Sequence, residues 1–299
     1  MKIAFQGEPG AFSEAAALRF QSEAELVACP EFEKVFEAVE SRRATCGVIP
    51  IENSIGGTIH QNYDLLLEHE LKIIGEVELP VSHSLLALAG TSLDQVTHVY
   101  SHPQGIAQCD RFLRGLRGVE VVATYDTAGS AKLIRDKGLA DAAAIASARA
   151  AEIFGLEVLQ SDIQDYANNV TRFLVVGRAP LPDSDQAPAA TKTTVVFSVP
   201  NEPSALFKAL SVFALRDINL TKLESRPFPG RTWEYLFYAD LMVGAHEFRC
   251  GRALSHLGEF CPTVRTLGSY PAVESSALTA PATPAAAAAP GRSGETSPA

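Results

Sequence analysis

The sequence predicts an α/β protein in two folded blocks, and three observations support that prediction. Residues 1–178 alternate short apolar runs with segments of helical periodicity, a pattern typical of a mostly parallel sheet covered by helices on both faces. Residues 192–270 predict the strand and helix order βαββαβ of a ferredoxin-like unit. The length of 299 residues and the hydrophobic content of 46% are sufficient for two cores.

In the first block, a strand is predicted at 3–5, followed by two glycines and a helix that begins near Ser13. Apolar residues at positions 32, 35, 36 and 39 fall on one face of a second helix. A third helix is predicted over 59–69. Further strands are predicted, in chain order, at 47–49 (ending at Pro50), 72–78, 81–89, 98–100, 119–123 and 143–146.

The second block is predicted to contain two helices and four strands. The strands are expected at 193–199, 220–225, 233–242 and 264–267, and the helices at 204–215 and 246–257. Two segments beside this block show no periodicity. Residues 179–191 are rich in Pro, Ala and Asp, as linkers are. Residues 271–299 have few large apolar side chains, which predicts a disordered tail.

Composition and charge exclude several classes of function. The net charge is −10, whereas surfaces that bind nucleic acid are basic, so no nucleic-acid partner is expected. No run of about 18 apolar residues occurs, and the N-terminus lacks the apolar core of a signal peptide, so no membrane association is expected. Five cysteines, an odd number without a C-x-x-C pair, favour a reducing compartment and a cytoplasmic protein.

No cofactor or metal site is predicted. The seven histidines are scattered, without H-x-x-x-H or H-E-x-x-H spacing. Neither a P-loop nor a G-x-G-x-x-G motif occurs. Any reaction would therefore depend on polar side chains and on the N-termini of helices.

Polar loops that follow predicted strands are candidate ligand sites, because open α/β sheets bind ligands at the carboxyl ends of their strands. The first loop contains Glu52, Asn53 and Ser54. The second begins at Ser101, and Gln108 lies on the second turn of the helix that follows. Ordinary helix capping is the alternative explanation for both patterns.

Two further segments are candidates for binding an anion. Asp126–Ala131 opens a predicted helix and includes Thr127 and Ser130; free N–H groups at a helix start attract anions. Thr171 and Arg172 stand just before the last strand of the first block. An arginine can hold a carboxylate through two parallel hydrogen bonds, and the alternative is a surface salt bridge.

Together these segments resemble the prephenate dehydratase family, over roughly residues 1–270. A further match in the second block is Glu224-Ser225-Arg226-Pro227, where the family has a sensing domain. The matching stretches of the first block are Gly7-Glu8-Pro9-Gly10-Ala11-Phe12-Ser13, Gly47-Val48-Ile49-Pro50-Ile51-Glu52-Asn53-Ser54, Ser101-His102-Pro103-Gln104, Asp126-Thr127-Ala128-Gly129-Ser130-Ala131 and Thr171-Arg172-Phe173.

The resemblance implies a domain organisation. Residues 1–178 would form a catalytic domain with two lobes like a type 2 periplasmic binding protein and an active site between them. Residues 192–270 would form an ACT regulatory domain, a module that binds amino acids at subunit interfaces. The protein would then be a homo-oligomer, a dimer or a tetramer, with a linker at 179–191 and a low-complexity tail at 271–299.

The implied reaction converts prephenate to phenylpyruvate, with loss of carbon dioxide and water, in phenylalanine biosynthesis. Thr171 would be the proton donor, Glu52 would relay the proton if its pKa were raised, and Arg172 would hold a substrate carboxylate. The resemblance implies five catalytic residues, namely Thr171, Glu52, Asn53, Ser101 and Gln108. Those that it assigns to substrate binding are Ser54, Thr127, Ser130 and Arg172.

The resemblance also implies feedback inhibition by L-phenylalanine, bound by the second block. The implied ligand-binding residues are Ser204, Ala205, Leu206, Glu224, Ser225, Arg226 and Pro227. One departure concerns the start of the first helix of this block, where the family has Gly-Ala-Leu-Val and this chain has Ser204-Ala205-Leu206-Phe207. The serine either crowds the ligand or hydrogen-bonds to it.

Three alternatives remain from the sequence. An arogenate or cyclohexadienyl dehydratase would perform the same chemistry on the aminated substrate, and nothing in the sequence separates it from a prephenate dehydratase. A solute-binding protein would share the lobed fold, but the missing signal peptide and the Thr171-Arg172-Phe173 motif oppose it. A purely regulatory ACT protein is opposed by the large first block.

Overall fold

The computed structural model describes residues 1–178, 189–228 and 230–273. The first lobe contains β1 (Lys2–Gln6), α1 (Phe12–Phe20), β2 (Glu25–Cys29), α2 (Phe32–Glu40), β3 (Cys46–Asn53), β4 (Gly57–Thr58), α3 (His60–Glu68) and β5 (Lys72–Pro80). The second lobe contains β6 (Ser84–Ala87), a 3-10 turn (Leu93–Gln95), β7 (His98–Ser101), α4 (Pro103–Gln108), α5 (Asp110–Gly115), β8 (Glu120–Ala123), α6 (Thr127–Lys137), β9 (Ala142–Ala146), α7 (Ala148–Phe154) and β10 (Glu157–Gln160). The chain then returns to the first lobe as β11 (Val170–Gly177).

Each lobe is built on its own mixed sheet. In the first lobe the strand order is β5-β11-β3-β1-β2, and β4 pairs with β3. In the second lobe the order is β10-β6-β9-β7-β8. The expectation of one mostly parallel sheet is therefore corrected: β1, β2 and β3 run parallel, but β11 is antiparallel to both neighbours because it enters from the second lobe.

Strand β3 continues past the proline at which the sequence predicted its end. Arg172 pairs with Glu52, yet the next residue on β11, Phe173, pairs with Pro50, so Ile51 is an extra residue on β3. Such a bulge interrupts the hydrogen-bond ladder and so tolerates a proline, which has no N–H to donate. The strand therefore extends to Asn53 and brings this residue to the cleft between the lobes.

The C-terminal domain consists of β12 (Lys192–Ser198), α8 (Ala205–Ala214), β13 (Leu220–Pro227), β14 (Tyr235–Leu241), α9 (Phe248–Phe260) and β15 (Thr263–Tyr270). Its strand order β13-β14-β12-β15 is that of a ferredoxin-like unit, as the βαββαβ pattern predicts. Alternate residues of β12 face two different cores. Val195 and Phe197 pack against the helices, whereas Val196 lies in the core of the first lobe with Tyr63 and Tyr238.

The sheet of the C-terminal domain joins the sheet of the first lobe. Gly268 of β15 pairs in parallel with Ile73 of β5, so the strands form one continuous ten-stranded sheet. A Cβ atom at Gly268 would lie 2.1 Å from the backbone oxygen of Ile73. Only glycine allows this close approach, because any side chain would collide with the backbone.

Most of the predicted linker, 179–188, and most of the predicted tail, 274–299, lie outside the described residues. The residues at their edges are attached to the C-terminal domain: the Thr191 N–H donates to the Tyr270 carbonyl at 3.1 Å, and the Ala272 N–H donates to Thr191 Oγ1 at 2.9 Å. All five cysteines are buried and free. Among the described helices, none has the length and apolar character needed to cross a membrane.

Candidate active site

A cavity of about 420 Å³ lies between the two lobes. The first lobe contributes the end of β3, the start of β11 and the starts of α1 and α2, and the second lobe contributes α4 and the start of α6. Its apolar lining includes the side chains of Phe12, Phe32 and Phe173. The polar residues that line it are Gln6, Ser13, Glu31, Asn53, Gln61, His83, His102, Gln104, Gln108, Tyr125, Asp126, Thr127 and Thr171.

The lobes touch beside the cavity. Gly7, with a φ of +112°, lies so close to α6 that a Cβ atom there would be 2.8 Å from Asp126 Oδ2. Glu8 forms an ion pair with Lys132 at 3.0 Å, and Glu14 forms one with Arg149 at 3.1 Å. The glycine-containing segment after β1 and the start of α1 therefore lie directly against the second lobe.

Three side-chain amides form a closed hydrogen-bonded ring in the wall of the cavity. Asn53 Nδ2 donates to Asn169 Oδ1 at 2.7 Å, Asn169 Nδ2 donates to Gln108 Oε1 at 2.9 Å, and Gln108 Nε2 donates to Asn53 Oδ1 at 3.2 Å. All three residues are buried. A buried network in which every member is satisfied is rigid, since any rotation leaves a polar atom without a partner.

The direction of this ring is fixed by the backbone. Asn53 Oδ1 also accepts from the N–H groups of Ile55 at 3.0 Å and Gly56 at 2.7 Å. A backbone N–H cannot become an acceptor, so Asn53 must present its oxygen to the loop and its NH₂ group to the other side. The second hydrogen of this NH₂ group is donated to Thr171 Oγ1 at 2.9 Å. Thr171 is therefore an acceptor towards Asn53, and its own hydroxyl hydrogen is available to the cavity.

His83 supports the ring from the second lobe. Its Nε2 lies 2.8 Å from Gln108 Oε1, and because that oxygen can only accept, Nε2 carries the hydrogen. Burial lowers the pKa of His83 below its ordinary value, against the raising effect of the hydrogen bond that His83 donates to Gln108. The imidazole is therefore neutral, and among the described residues Nδ1 has no partner.

The electrostatics of the cavity are mildly acidic. Its lining includes the carboxyl groups of Glu31 and Asp126, and among the described residues that line it there is no lysine or arginine. Burial raises the pKa of Asp126, while the N–H groups of Gly129 and Ala128 act against that rise. Positive potential comes instead from helix starts. Within residues 1–178, 189–228 and 230–273, no side-chain hydrogen bond caps α1 or α2, so their first N–H groups can receive an anion.

The structure corrects the expected positions of Arg172 and Glu52. Successive residues of a strand point to opposite faces, so Arg172 faces away from the cavity that Thr171 lines, and Glu52 faces away from the side of Asn53. Arg172 Nη1 binds Asp240 Oδ2 at 2.6 Å and Glu76 Oε2 at 3.4 Å. Burial lowers the pKa of Arg172, but Asp240 and Glu52 raise it by more, so the guanidinium stays charged.

Three other expected site residues lie near the cavity without lining it. Ser54 Oγ donates to the carbonyl of Asn168 at 2.9 Å and accepts from the N–H of Val170, so it fastens the segment that precedes Thr171. Ser101 Oγ donates to the carbonyl of Ile145 at 2.8 Å. Ser130 Oγ donates to the carbonyl of Asp126 at 2.8 Å. Their hydroxyl groups bind backbone carbonyls of neighbouring segments, and the expected contacts of Ser54 and Ser130 with substrate stay predictions.

The structure keeps four of the expected residues together at the cavity, namely Asn53, Gln108, Thr127 and Thr171. Sequence reasoning missed His83 and Asn169. Asn169 lies two residues before Thr171 in the sequence, but no sequence pattern indicates that it is buried. His83 stands where the chain passes from β5 to β6, and no local motif identifies it; only the pairing of the two lobes brings it to Gln108.

The residues expected to bind phenylalanine lie on β13 and at the start of α8. Glu224 faces the first lobe, where its carboxylate accepts from Thr58 Oγ1 at 2.9 Å, and Arg226 Nη2 donates to Asp64 Oδ2 at 2.6 Å. Ser225 and Pro227 are exposed. Ser204, also exposed, has a φ of +66°, a left-handed conformation that glycine adopts without strain. Ala205 and Leu206, half-buried, open α8.

Comparison with known proteins identifies the family. The family model for prephenate dehydratase matches residues 3–181. The chain is 48% identical over 287 residues to arogenate dehydratase/prephenate dehydratase 6, chloroplastic, from Arabidopsis thaliana, covering 91% of this chain and 69% of that protein. Among solved structures, prephenate dehydratase from Arthrobacter aurescens in complex with L-Phe has a TM-score of 0.82 at 32% identity, covering 91% and 90% of the two chains.

A second solved structure is similar to the same extent. GqqA, described as a novel type of quorum quenching acylase, has a TM-score of 0.83 at 35% identity and covers 92% of this chain and 99% of its own. The family match spans the lobes that form the cavity, and both solved structures extend over the C-terminal domain as well. The chain belongs to the prephenate dehydratase family.

Proposed function

We propose that the protein removes carbon dioxide and water from prephenate and so produces phenylpyruvate. In this reaction the bond from ring carbon C1 to its carboxylate breaks, and its electron pair moves into the ring. The bond from C4 to its hydroxyl breaks at the other end of the ring, which becomes aromatic. The departing oxygen gains negative charge and leaves as water with one proton, which is taken up overall from solvent.

Thr171 is proposed as the group that acts on the departing hydroxyl. The observation that supports this role most is the direction of its hydrogen bonds: Oγ1 accepts from Asn53, which leaves the hydroxyl hydrogen for the substrate. A threonine hydroxyl is a weak acid, so its contribution is a preoriented hydrogen bond to developing charge rather than strong acidity. The donation from Asn53 increases the polarity of that hydroxyl.

The remaining groups of the cavity are proposed to position the ring. Phe12, Phe32 and Phe173 offer apolar surface to the faces of the ring. The free N–H groups at the starts of α1 and α2 are proposed to receive the substrate carboxylates, in place of Arg172. Positioning is the main requirement here, because aromatisation itself provides the driving force.

Arogenate is a second candidate substrate, and one observation favours it. Arogenate carries an ammonium group where prephenate has a keto group, and the cavity lining includes two carboxyl groups and, in the part of the chain that the structure describes, no basic side chain other than histidine. Glu31 is exposed and lies immediately before α2. If it pairs with the ammonium, Glu31→Gln lowers kcat/KM for arogenate by up to about 5-fold, the size expected of an exposed charge contact, and leaves prephenate turnover unchanged.

The deciding experiment compares both substrates on the purified full-length protein. Formation of phenylpyruvate from prephenate and of phenylalanine from arogenate is followed under the same conditions. Turnover of prephenate supports the main proposal, and turnover of arogenate alone replaces it with the second. If neither substrate is consumed by protein that is folded, the dehydratase proposal is wrong for this chain.

Inhibition by L-phenylalanine through the C-terminal domain is proposed as well, together with a homo-oligomeric state. The similar structure from Arthrobacter aurescens contains L-Phe by its description. Glu224 and Arg226, on the strand expected to bind the effector, contact the first lobe directly. A ligand that binds this strand therefore acts on the first lobe through these two contacts. Kinetics at increasing phenylalanine concentration, with sedimentation of the same sample, test both proposals.

A further inference from the structure

Arg172 and Glu52 occupy the face of β11 and β3 opposite the cavity. They are cross-strand partners, and their chain neighbours Thr171 and Asn53 are cross-strand partners too. The pair on one face therefore lies directly behind the pair on the other. Arg172 Nε lies 2.8 Å from Glu52 Oε1, although its N–H does not point at that oxygen, so the contact is an ion pair and not an aligned hydrogen bond.

The C-terminal domain holds this pair on two sides. From β14, Asp240 binds Arg172 at 2.6 Å, and its other oxygen accepts from Thr194 Oγ1 at 2.7 Å. From β13, Lys222 forms an ion pair with the second oxygen of Glu52. Asp240 is 2% exposed, so water screens its attraction to Arg172 little. Both residues belong to a different domain from the cavity.

We infer that Arg172 and Glu52 are positioning residues through which Asp240 and Lys222 of the C-terminal domain hold Thr171 and Asn53 in their reactive geometry. This inference rests on the proposed dehydratase function. The backbone of β11 cannot move at Arg172 without moving Thr171, because the two residues share a peptide unit. A shift of about 1 Å in a reacting group lowers a rate by on the order of 100-fold. The C-terminal domain therefore completes the active site, although none of its described residues lines the cavity.

The same contacts explain why β13 is suited to regulation. Lys222 and Glu224, two residues apart on this strand, both face the first lobe; Lys222 reaches Glu52, and Glu224 reaches Thr58 and His60. Ser225, between Glu224 and Arg226, points the other way and is exposed. A ligand that displaces β13 would displace Lys222 and its ion-pair partner Glu52, and with Glu52 the adjacent residue Asn53.

Two variants test the inference in the full-length protein: Asp240→Asn, and Lys222→Met, which keeps the apolar stem and is less disruptive if Asp240→Asn fails to fold. Each is expected to lower kcat by about 10-fold or more while KM changes less than about 2-fold. Arg265→Met is the matched control. Arg265 also joins the C-terminal domain to the first lobe, donating to the carbonyls of Leu67 and His69 at 2.9 and 2.8 Å, but it does not touch the residues behind the cavity.

All rates are measured well below the melting temperature of each variant, so that loss of stability does not appear as loss of rate. Arg265→Met is expected to melt earlier and keep its kcat. A role in stability alone would give the same result for Asp240→Asn and Lys222→Met, and that outcome would overturn the inference. A rise in KM with kcat unchanged would overturn it as well, since it would return Arg172 and its partners to substrate binding.

A double-mutant comparison shows whether the effect passes through Thr171. In a Thr171→Ala background, Lys222→Met is expected to change kcat by less than about 2-fold, because a group that is absent cannot be misplaced. Equal factors in both backgrounds would contradict the inference. If Thr171→Ala itself retains wild-type kcat, it is the role of Thr171 in the proposed function that fails, and the two failures are thus distinguished.

Discussion

At the scale of single residues, the direction of hydrogen bonds around Asn53 decides what Thr171 can do. The loop N–H groups of Ile55 and Gly56 set the orientation of the Asn53 amide, and that amide sets the orientation of the Thr171 hydroxyl. The sequence was sufficient to select both residues, through a motif. It did not predict the direction, because that depends on the loop conformation that brings two N–H groups to Asn53 and on the contact with Thr171, 118 residues away.

The direction of this chain is testable with an isosteric change. Asn53→Asp keeps an oxygen towards Ile55 and Gly56 but places a second oxygen opposite Thr171, where the NH₂ group was. The Thr171 hydroxyl hydrogen should then turn towards the new carboxylate and away from the substrate. We expect kcat to fall by on the order of 10² or more, measured as phenylpyruvate formed at saturating prephenate, with the fold checked by circular dichroism. A kcat near that of the wild type would show that the direction is unimportant.

His83 makes the stability of the protein depend on pH. Its pKa is lowered in the folded state by burial from an ordinary value of 6.5, so below about pH 6.5 the unfolded chain takes up a proton that the folded protein does not. The contribution of His83 to stability is therefore complete above pH 6.5 and is lost as the pH falls towards the lowered pKa. Urea unfolding between pH 7.5 and 5 measures this slope.

The matched variant for that experiment is His83→Gln, which retains a donor towards Gln108 and cannot titrate. Its free energy of unfolding should fall less steeply over the same pH range than that of the wild type. Identical slopes in the two proteins would mean that the pKa of His83 is the same in the folded and unfolded chain. In that case burial would not lower the pKa of His83.

At the scale of elements, the periodic patterns predicted type and order well and the boundaries less well. Helix α2 follows the predicted spacing of Phe32, Val35, Phe36 and Val39, and the four strands of the C-terminal domain occur in the expected order. The extension of β3 past Pro50 was missed, since a bulge depends on the partner strand. Side chains alternate between the two faces of β11, so Thr171 and Arg172 point in opposite directions. The sequence did not predict this, because the family motif places both residues at one site.

Helix α8 begins at a residue in a conformation unsuited to its side chain. Ser204 has a φ of +66°, and its side chain makes no capping hydrogen bond with any residue that the structure describes. Ser204→Gly should raise the free energy of unfolding by about 1 kcal/mol, the usual cost of a left-handed conformation in a residue with a Cβ atom. Thermal unfolding measures the change, and Ser204→Ala, which keeps the Cβ atom, is the control.

The same variant distinguishes two explanations of the family glycine. If glycine is preferred for its backbone conformation alone, Ser204→Gly gains stability and binds phenylalanine as the wild type does. If the serine also crowds the ligand, phenylalanine binding tightens in calorimetry. A variant less stable than the wild type would contradict the account of strain at the start of α8.

At the scale of the whole molecule, the two blocks are separate along the sequence but pack together in the structure. The C-terminal domain shares one sheet with the first lobe and buries Val196, Tyr238 and Tyr270 in the core of that lobe. Sequence patterns identify each unit but not which faces meet. The contact matters for function, because the ion pairs behind Thr171 and Asn53 cross this boundary.

The central claim is that Thr171, aligned by Asn53, acts on the hydroxyl that leaves the ring. The most direct measurement is kcat for phenylpyruvate formation from prephenate by the wild type, Thr171→Ala and Thr171→Ser. Thr171→Ala should lose a factor on the order of 10² or more, the size expected for a positioned donor at a developing charge. Thr171→Ser, which keeps the hydroxyl, should retain most of the activity. Wild-type kcat in folded Thr171→Ala would contradict the claim.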